Sequence, residues 1–165
     1  MIALRNVLVA TDFSEPSDAA LVYGRELAAR FGATLHVLHV TENIYLTVAN
    51  EAYIAMAPDL QEQIEDGARR ELRRLLADTD KSGPPSIPIV LRSSSPAQAI
   101  IEYAKGRGID VIVMGTHGRG GLAHLVMGSV AERVVRLAPC PVLTVRHPER
   151  EFVHADAFAR VAYSC

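Results

Sequence analysis

Three observations predict a doubly wound α/β fold, a single domain built on a five-stranded parallel sheet with helices on both faces. The runs Val7–Ala10, Val111–Met114 and Val142–Val145 are apolar at nearly every position, the pattern of strands buried on both sides. Stretches with apolar residues three and four apart fill the intervals between them. Glycine, proline and serine punctuate the joins. Strand and helix alternate, and alternation calls for a parallel sheet with right-handed crossovers.

Taken in order, β1 is expected over Asn6–Ala10 and β2 over Thr34–Val40. Between them α1 spans Glu15–Phe31, with Ser14 as N-cap, Gly32 as stop, and Ala19, Val22, Tyr23, Leu27 and Phe31 as its apolar face. A second helix, α2, covers Asp59–Ala77 and repeats Leu60, Ile64, Ala68, Leu72 and Leu75 at helical spacing. The weakest strand, β3, is Ile87–Leu91, after Gly83-Pro84-Pro85. Ser95-Pro96-Ala97-Gln98 has the form of a capping box with proline at the first helical position, opening α3 to about Lys105. Then β4 is Asp110–Met114, a second capping box at Ser129–Glu132 opens α4 to Ala138, and β5 is Pro141–Val145. The order is β1-α1-β2-α2-β3-α3-β4-α4-β5. Thr41–Pro58 and Arg146–Cys165 are less regular, so the folded domain is assigned to residues 1–146 and the rest to a tail, 147–165.

The 165 residues are enough for one full core, and 49% apolar with 22% charged is ordinary globular composition. A formal net charge of −2 gives no basic footprint for nucleic acid. Arg69, Arg70, Arg73 and Arg74 alternate with Glu65, Asp66 and Glu71, which reads as a solvated helix face with ion pairs. Two cysteines, Cys140 and Cys165, are too few for a disulfide framework, and Cys140 is expected to be an inert buried thiol. No apolar run reaches the ~18 residues of a membrane span, and the N-terminus lacks signal-peptide architecture. A cytoplasmic protein binding neither membrane nor nucleic acid is the expectation.

In open α/β sheets ligands bind beyond the carboxyl ends of the strands, where the strand order reverses. The chain after β4 reads Gly115-Thr-His-Gly118-Arg-Gly120-Gly121, then Gly128-Ser129. Glycines at 115 and 118 allow positive φ and close backbone approach to a ligand. Gly128-Ser129 opens a helix whose first N–H groups and dipole favour an anion, and the Ser129 hydroxyl adds a donor. Together these make a phosphate nest. The competing reading is tight turns and a helix cap only.

The spacing Gly115-x2-Gly118-x9-Gly128-Ser129 resembles the ATP-binding signature of the universal stress protein family. Val7–Ser14, Leu35–Val40, Val111–Gly115 and Ala138–Val145 resemble the family as well, so the likeness runs from Asn6 to Val145. It implies a Rossmann-like sheet of order 3-2-1-4-5, akin to the adenine nucleotide alpha hydrolases, with ATP across the ends of β1 and β4. The implied ATP site comprises Ala10, Thr11, Asp12, Val40, Met114, Gly115, Thr116, His117, Gly118, Arg119, Gly120, Gly128, Ser129 and Val130. In it Asp12 meets the adenosine part or the ion, and the Val40 backbone pairs with the adenine edge. Gly115, Gly118, Gly128, Ser129 and Val130 surround ribose and phosphates. Mg²⁺ or Mn²⁺ would sit on the phosphates, with Asp12 reaching it through water at most. The resemblance also implies a homodimer through Pro141–Val145, in keeping with a last strand that leaves an apolar sheet edge.

Alternatives remain for single residues. Asp12 is either a turn residue bonding its own backbone or a ligand group. Arg119 either reaches a terminal phosphate or is solvated. His117 and His124 have no metal-site spacing, and His36 and His39, three apart on a strand, face opposite sides. Tyr45, Tyr53 and Met56 fall in a segment that either covers the base or packs on a partner. There is no G-x-x-x-x-G-K-[ST], so a P-loop lysine is missing. Binding ATP as a nucleotide-dependent switch or sensor in a stress response, with slow or no hydrolysis, is therefore the expected function, and protein partners stay unspecified. A weak ATPase or self-phosphorylating enzyme, with Asp12, His117 and Ser129 as candidates, and a ligand-free interaction module are the alternatives.

Overall fold

The fold comes from a computed structural model, which describes residues 1–44, 57–77, 83–117 and 127–146. Five strands form one sheet in the order β3-β2-β1-β4-β5, and every adjacent pair is parallel. This is the doubly wound, Rossmann-like arrangement that the alternation predicts. The strands are β1 Asn6–Ala10, β2 Thr34–Thr41, β3 Ser86–Arg92, β4 Val111–Gly115 and β5 Val142–Val145. The helices are α1 Glu15–Phe31, α2 Ala57–Ala77, α3 Pro96–Arg107 and α4 Ser129–Leu137.

Successive residues of a strand point to opposite faces, and the core divides by that parity. Val7, Val9, Leu35, Val37, Val113 and Val145 pack under α1 and α2, with Ala20, Leu21, Ala28, Leu72 and Leu76. Leu8, Ala10, Leu38, Ile112 and Met114 pack under α3 and α4, with Ala97, Ile100, Ala104, Ala131 and Val134. Leu8, Leu35, Leu38 and Ile112 are essentially inaccessible to water. Burial of such a side chain contributes roughly 1.5–3 kcal/mol.

Several expectations need correction. The face that α1 buries runs Ser17, Ala20, Leu21, Tyr23, Gly24 and Ala28, with Ala19 and Leu27 packed at its side; Tyr23 is buried as expected, while Phe31 is exposed. On α2, Leu60 and Ile64 are exposed and Gln61 is fully buried. The Gln61 amide explains this: its Oε1 accepts the Ile44 N–H at 3.1 Å, and its Nε2 donates to the Glu42 carbonyl at 3.2 Å. It thereby ties α2 to the exit of β2. Strand β3 is longer than expected. Pro88 interrupts nothing there, because residues 85 and 93 bond β2 and the alternate set faces off the sheet edge. Asp110 lies outside β4, and its carboxylate accepts the Arg5 and Asn6 amides instead.

Neither predicted capping box forms at α3 or α4. Ser95 is the N-cap of α3 without a side-chain bond, and Gln98 donates to Glu102. The N-cap of α4 is Gly128, so Ser129 is the first helical residue. The basic face of α2 does form ion pairs, Arg69 with Glu65 and Asp66 and Arg74 with Glu71. Glu65 also holds Arg92 of β3. Cys140 is partly buried, and that burial pushes its thiol above the usual range. Among the described residues, no helix is long and apolar enough to cross a membrane.

Candidate functional site

The chain winds from β1 outward through β2 and β3, then returns to the other side of β1 for β4 and β5. The order reverses between β1 and β4, whose last rung is Ala10↔Met114. The crevice beyond that rung is where such folds bind ligands. Its walls are the β1–α1 turn, the end of β2 and the start of α4.

The β1–α1 turn uses nearly all of its own polar groups. Thr11 is buried; its N–H donates to the Leu38 carbonyl at 2.9 Å, and its own carbonyl accepts His39 Nδ1–H at 2.8 Å. The Thr11 hydroxyl lies 3.0 Å from Ser17 Oγ and accepts the Phe13 N–H at 3.0 Å. Phe13 has φ +62°, a left-handed conformation costing a non-glycine residue about 1–2 kcal/mol. Its ring lies against the His39 imidazole, 4.3 Å between centroids and tilted by 31°. Half-buried Asp12 accepts the Ser14 N–H at 3.2 Å and the Ser14 hydroxyl at 2.5 Å through one carboxylate oxygen. That is the turn role the sequence allowed, and it fixes where the carboxylate sits. Burial and the Asp12 charge push the neighbouring Asp18 carboxyl up.

The other wall is assembled around β4. Gly115 ends the strand in register with Val145. Positive φ, expected at Gly115, is absent; among the described glycines only Gly32 and Gly108 have it. What Gly115 supplies is closeness to α1, since a Cβ there would lie 3.0 Å from the Pro16 backbone. Thr116 is buried, with its N–H donating to the Val145 carbonyl at 2.9 Å and its carbonyl accepting the Gly128 N–H at 2.7 Å. That second bond closes the base of the glycine loop, so the chain leaves β4 and enters α4 at one point. His117 Nδ1 lies 3.0 Å from the Thr116 hydroxyl. Gly118, Arg119 and Gly120, with the rest of 118–126, lie outside the described residues, as do Tyr45, Tyr53, Met56, Cys165 and the 147–165 tail.

Gly128, with no side chain, cannot cap the first-turn amides of α4. Ser129 is exposed and Val130 partly so. Ala10 and Met114 point into the core under α3 and α4, so only their backbones border the crevice. Val40 lies two residues beyond Leu38, where β1 pairing ends. Backbone groups alternate in direction along a parallel ladder, so the Val40 N–H and C=O face the β1 side like those of Leu38. They have no β1 rung opposite them.

The structure thus brings together Thr11, Asp12, Val40, Gly115, Thr116, Gly128 and Ser129 at one crevice. Sequence reasoning missed Phe13 and His39 here; the usable signal was that His39 lies near the carboxyl end of the second strand, the ligand-binding side. The histidine parity holds, since His36 faces Tyr103 of α3 and His39 faces Phe13. Among the described residues no cluster of His, Cys, Asp and Glu could hold a metal ion.

Residues 3–146 match the model of the universal stress protein family. Universal stress protein A homolog 1 of Coxiella burnetii is 36% identical over 141 residues, covering 86% of this chain and 95% of that protein. Among solved structures, universal stress protein UspA from Lactobacillus plantarum superposes with a TM-score of 0.72 at 26% identity, over 88% of this chain and all of that one (100%). A universal stress protein from Archaeoglobus fulgidus, solved in complex with dAMP, superposes with a TM-score of 0.58 at 22% identity, over 88% of this chain and 99% of that one.

Proposed function

The chain belongs to the universal stress protein family, and from that premise we propose that it binds ATP at the β1/β4 crevice and acts as a nucleotide-dependent switch or sensor. One observation carries the reading. Asp12 and the start of α4, where Gly128 supplies no side-chain cap, flank the switch point, and the Thr116–Gly128 bond holds the second against the end of β4. First-turn amides and a helix dipole favour phosphate oxygens. Val40 backbone groups without a β1 rung suit the hydrogen-bonding edge of a purine. The Archaeoglobus fulgidus protein of the same fold holds an adenine nucleotide, dAMP, which is consistent with this choice of ligand.

The chemistry of these groups favours holding over turnover. Asp12 is engaged by Ser14, and the crevice as described contains no lysine to stabilise a transferring phosphate. A divalent ion, Mg²⁺ or Mn²⁺, would ride on the phosphates, with Asp12 the carboxylate nearest to it. The protein acts as a homodimer in this reading. The outer edge of β5 directs the N–H and C=O groups of Val142 and Thr144 away from β4, where no strand among the described residues pairs with them and an equivalent strand can.

A thermal melt with and without Mg·ATP tests the proposal. At 100 times its Kd a ligand adds about 2.7 kcal/mol, which raises Tm by several degrees. Gly118→Val should remove the response while leaving the ligand-free Tm in place. No shift in the wild type at millimolar ATP would sink the proposal.

A further inference from the structure

We infer that His39 is a positioning residue for this site, clamping the β1–α1 turn so that Asp12 is presented to the nucleotide; this deepens the proposed ATP reading and rests on it. The argument starts from a turn that would not hold its shape by itself. Phe13 sits at φ +62°, where an L-residue with a large side chain is disfavoured. Ser17 of α1 braces the turn from one side, its Oγ 3.0 Å from the Thr11 hydroxyl and accepting the Ser14 N–H, and β2 braces it from the other. His39 touches the turn on both sides of Asp12: its Nδ1–H donates to the carbonyl of Thr11, and its ring lies against Phe13. A carbonyl only accepts, so Nδ1 carries the proton and the ring orientation is set.

Inside the turn, the Thr11 hydroxyl takes the Phe13 N–H and Asp12 takes the Ser14 N–H, but these bonds span only two residues. They shape the turn without tying it to the sheet. The tie is the Thr11 N–H to Leu38 together with the His39 side chain, both from β2. Loss of the imidazole frees the Thr11–Asp12 peptide to rotate and lets Phe13 return to negative φ. Either movement turns the Asp12 carboxylate away from the crevice.

The test is a double-mutant cycle on the Kd for Mg·ATP, by equilibrium dialysis at protein concentrations that still register weak variants. His39→Ala should weaken binding about tenfold, the scale of one hydrogen bond and one ring contact. His39→Asn, whose amide N–H can stand in for Nδ1–H, should recover most of that loss. In an Asp12→Ala background, His39→Ala should cost nothing further, a result that general loosening of the fold would not give. Phe13→Gly, which removes the ring and releases the backbone, provides a second entry to the cycle should His39→Ala fold poorly. Additive losses, unchanged affinity in His39→Ala, or no recovery in His39→Asn would each overturn the clamp. A wild-type chain that does not bind ATP overturns the nucleotide reading itself and the clamp with it.

Discussion

At the amino end of the sheet Asp110 and His36, and at the carboxyl end Asp12 and His39, form two aspartate–histidine sets whose bonds differ in reach. Asp110 accepts the Arg5 and Asn6 amides from 105 and 104 residues away, and His36 reaches Tyr103 across 67. Asp12 accepts the Ser14 amide two residues on, and His39 reaches Thr11 across 28. Bonds of the first kind join β1, β2, α3 and the approach to β4, so they help close the fold. Bonds of the second kind hold one turn in a disfavoured shape that the sheet does not need in order to form. The same residue types thus serve stability at one end of the sheet and presentation of a carboxylate at the other.

The largest expected contrast comes from truncating the two aspartates. Asp12→Ala should weaken Mg·ATP binding by more than tenfold, while the urea midpoint of the free protein falls only slightly. Asp110→Ala should do the reverse, destabilising by about 2 kcal/mol through two abandoned amides, with Kd unchanged. Urea denaturation and calorimetric titration on both variants decide it; equal effects on both readouts would erase the distinction.

A smaller effect is expected where the two walls of the crevice touch. Gly115→Ala pushes a methyl group to 3.0 Å from the Pro16 backbone and should cost about 1–3 kcal/mol. If α1 yields by sliding, the β1–α1 turn moves with it and ATP affinity falls as well. A stability loss with no change in affinity would show the walls to be independent.

The smallest effect is a pH slope to which His36 and Asp110, at the amino end, contribute. Burial, with Arg107 nearby, holds the His36 pKa below its usual value. The unfolded chain then binds a proton that the folded chain resists, so stability falls as pH drops below the unfolded histidine value of about 6.5. Asp110, held below the usual carboxylate range by the Arg5 and Asn6 amides, adds a further loss once the pH reaches its unfolded value of about 4 and continues down through its folded pKa. His36→Asn should flatten the urea-midpoint profile between about pH 7 and 5. An unchanged slope in that variant would assign the acid sensitivity to another group.

Much of the fold could be read from residue order because its signals are local. A run such as Val7–Ala10 is apolar at every position because both faces of a parallel strand are covered, and no distant partner is needed to see it. The address of the candidate site was proposed from equally local features, a glycine loop after one strand and an aspartate after another. Helix faces were less so. Phe31, Leu60 and Ile64 suit a buried stripe by spacing, yet Ser17 and Gln61 point inward in their place. On α2 the choice follows the Gln61 amide, which turns inward to bond the chain leaving β2.

The sequence by itself determined the family, the alternation and the sheet class, because apolar periodicity and glycine spacing are properties of short segments. Only the tertiary structure decided that Gly115 makes room for Pro16, that Gly128 and not Ser129 takes the N-cap position of α4, and that His39 grips the turn around Asp12. Each of these depends on atoms brought together from separate segments of the chain, and a linear pattern carries no record of which segments will meet.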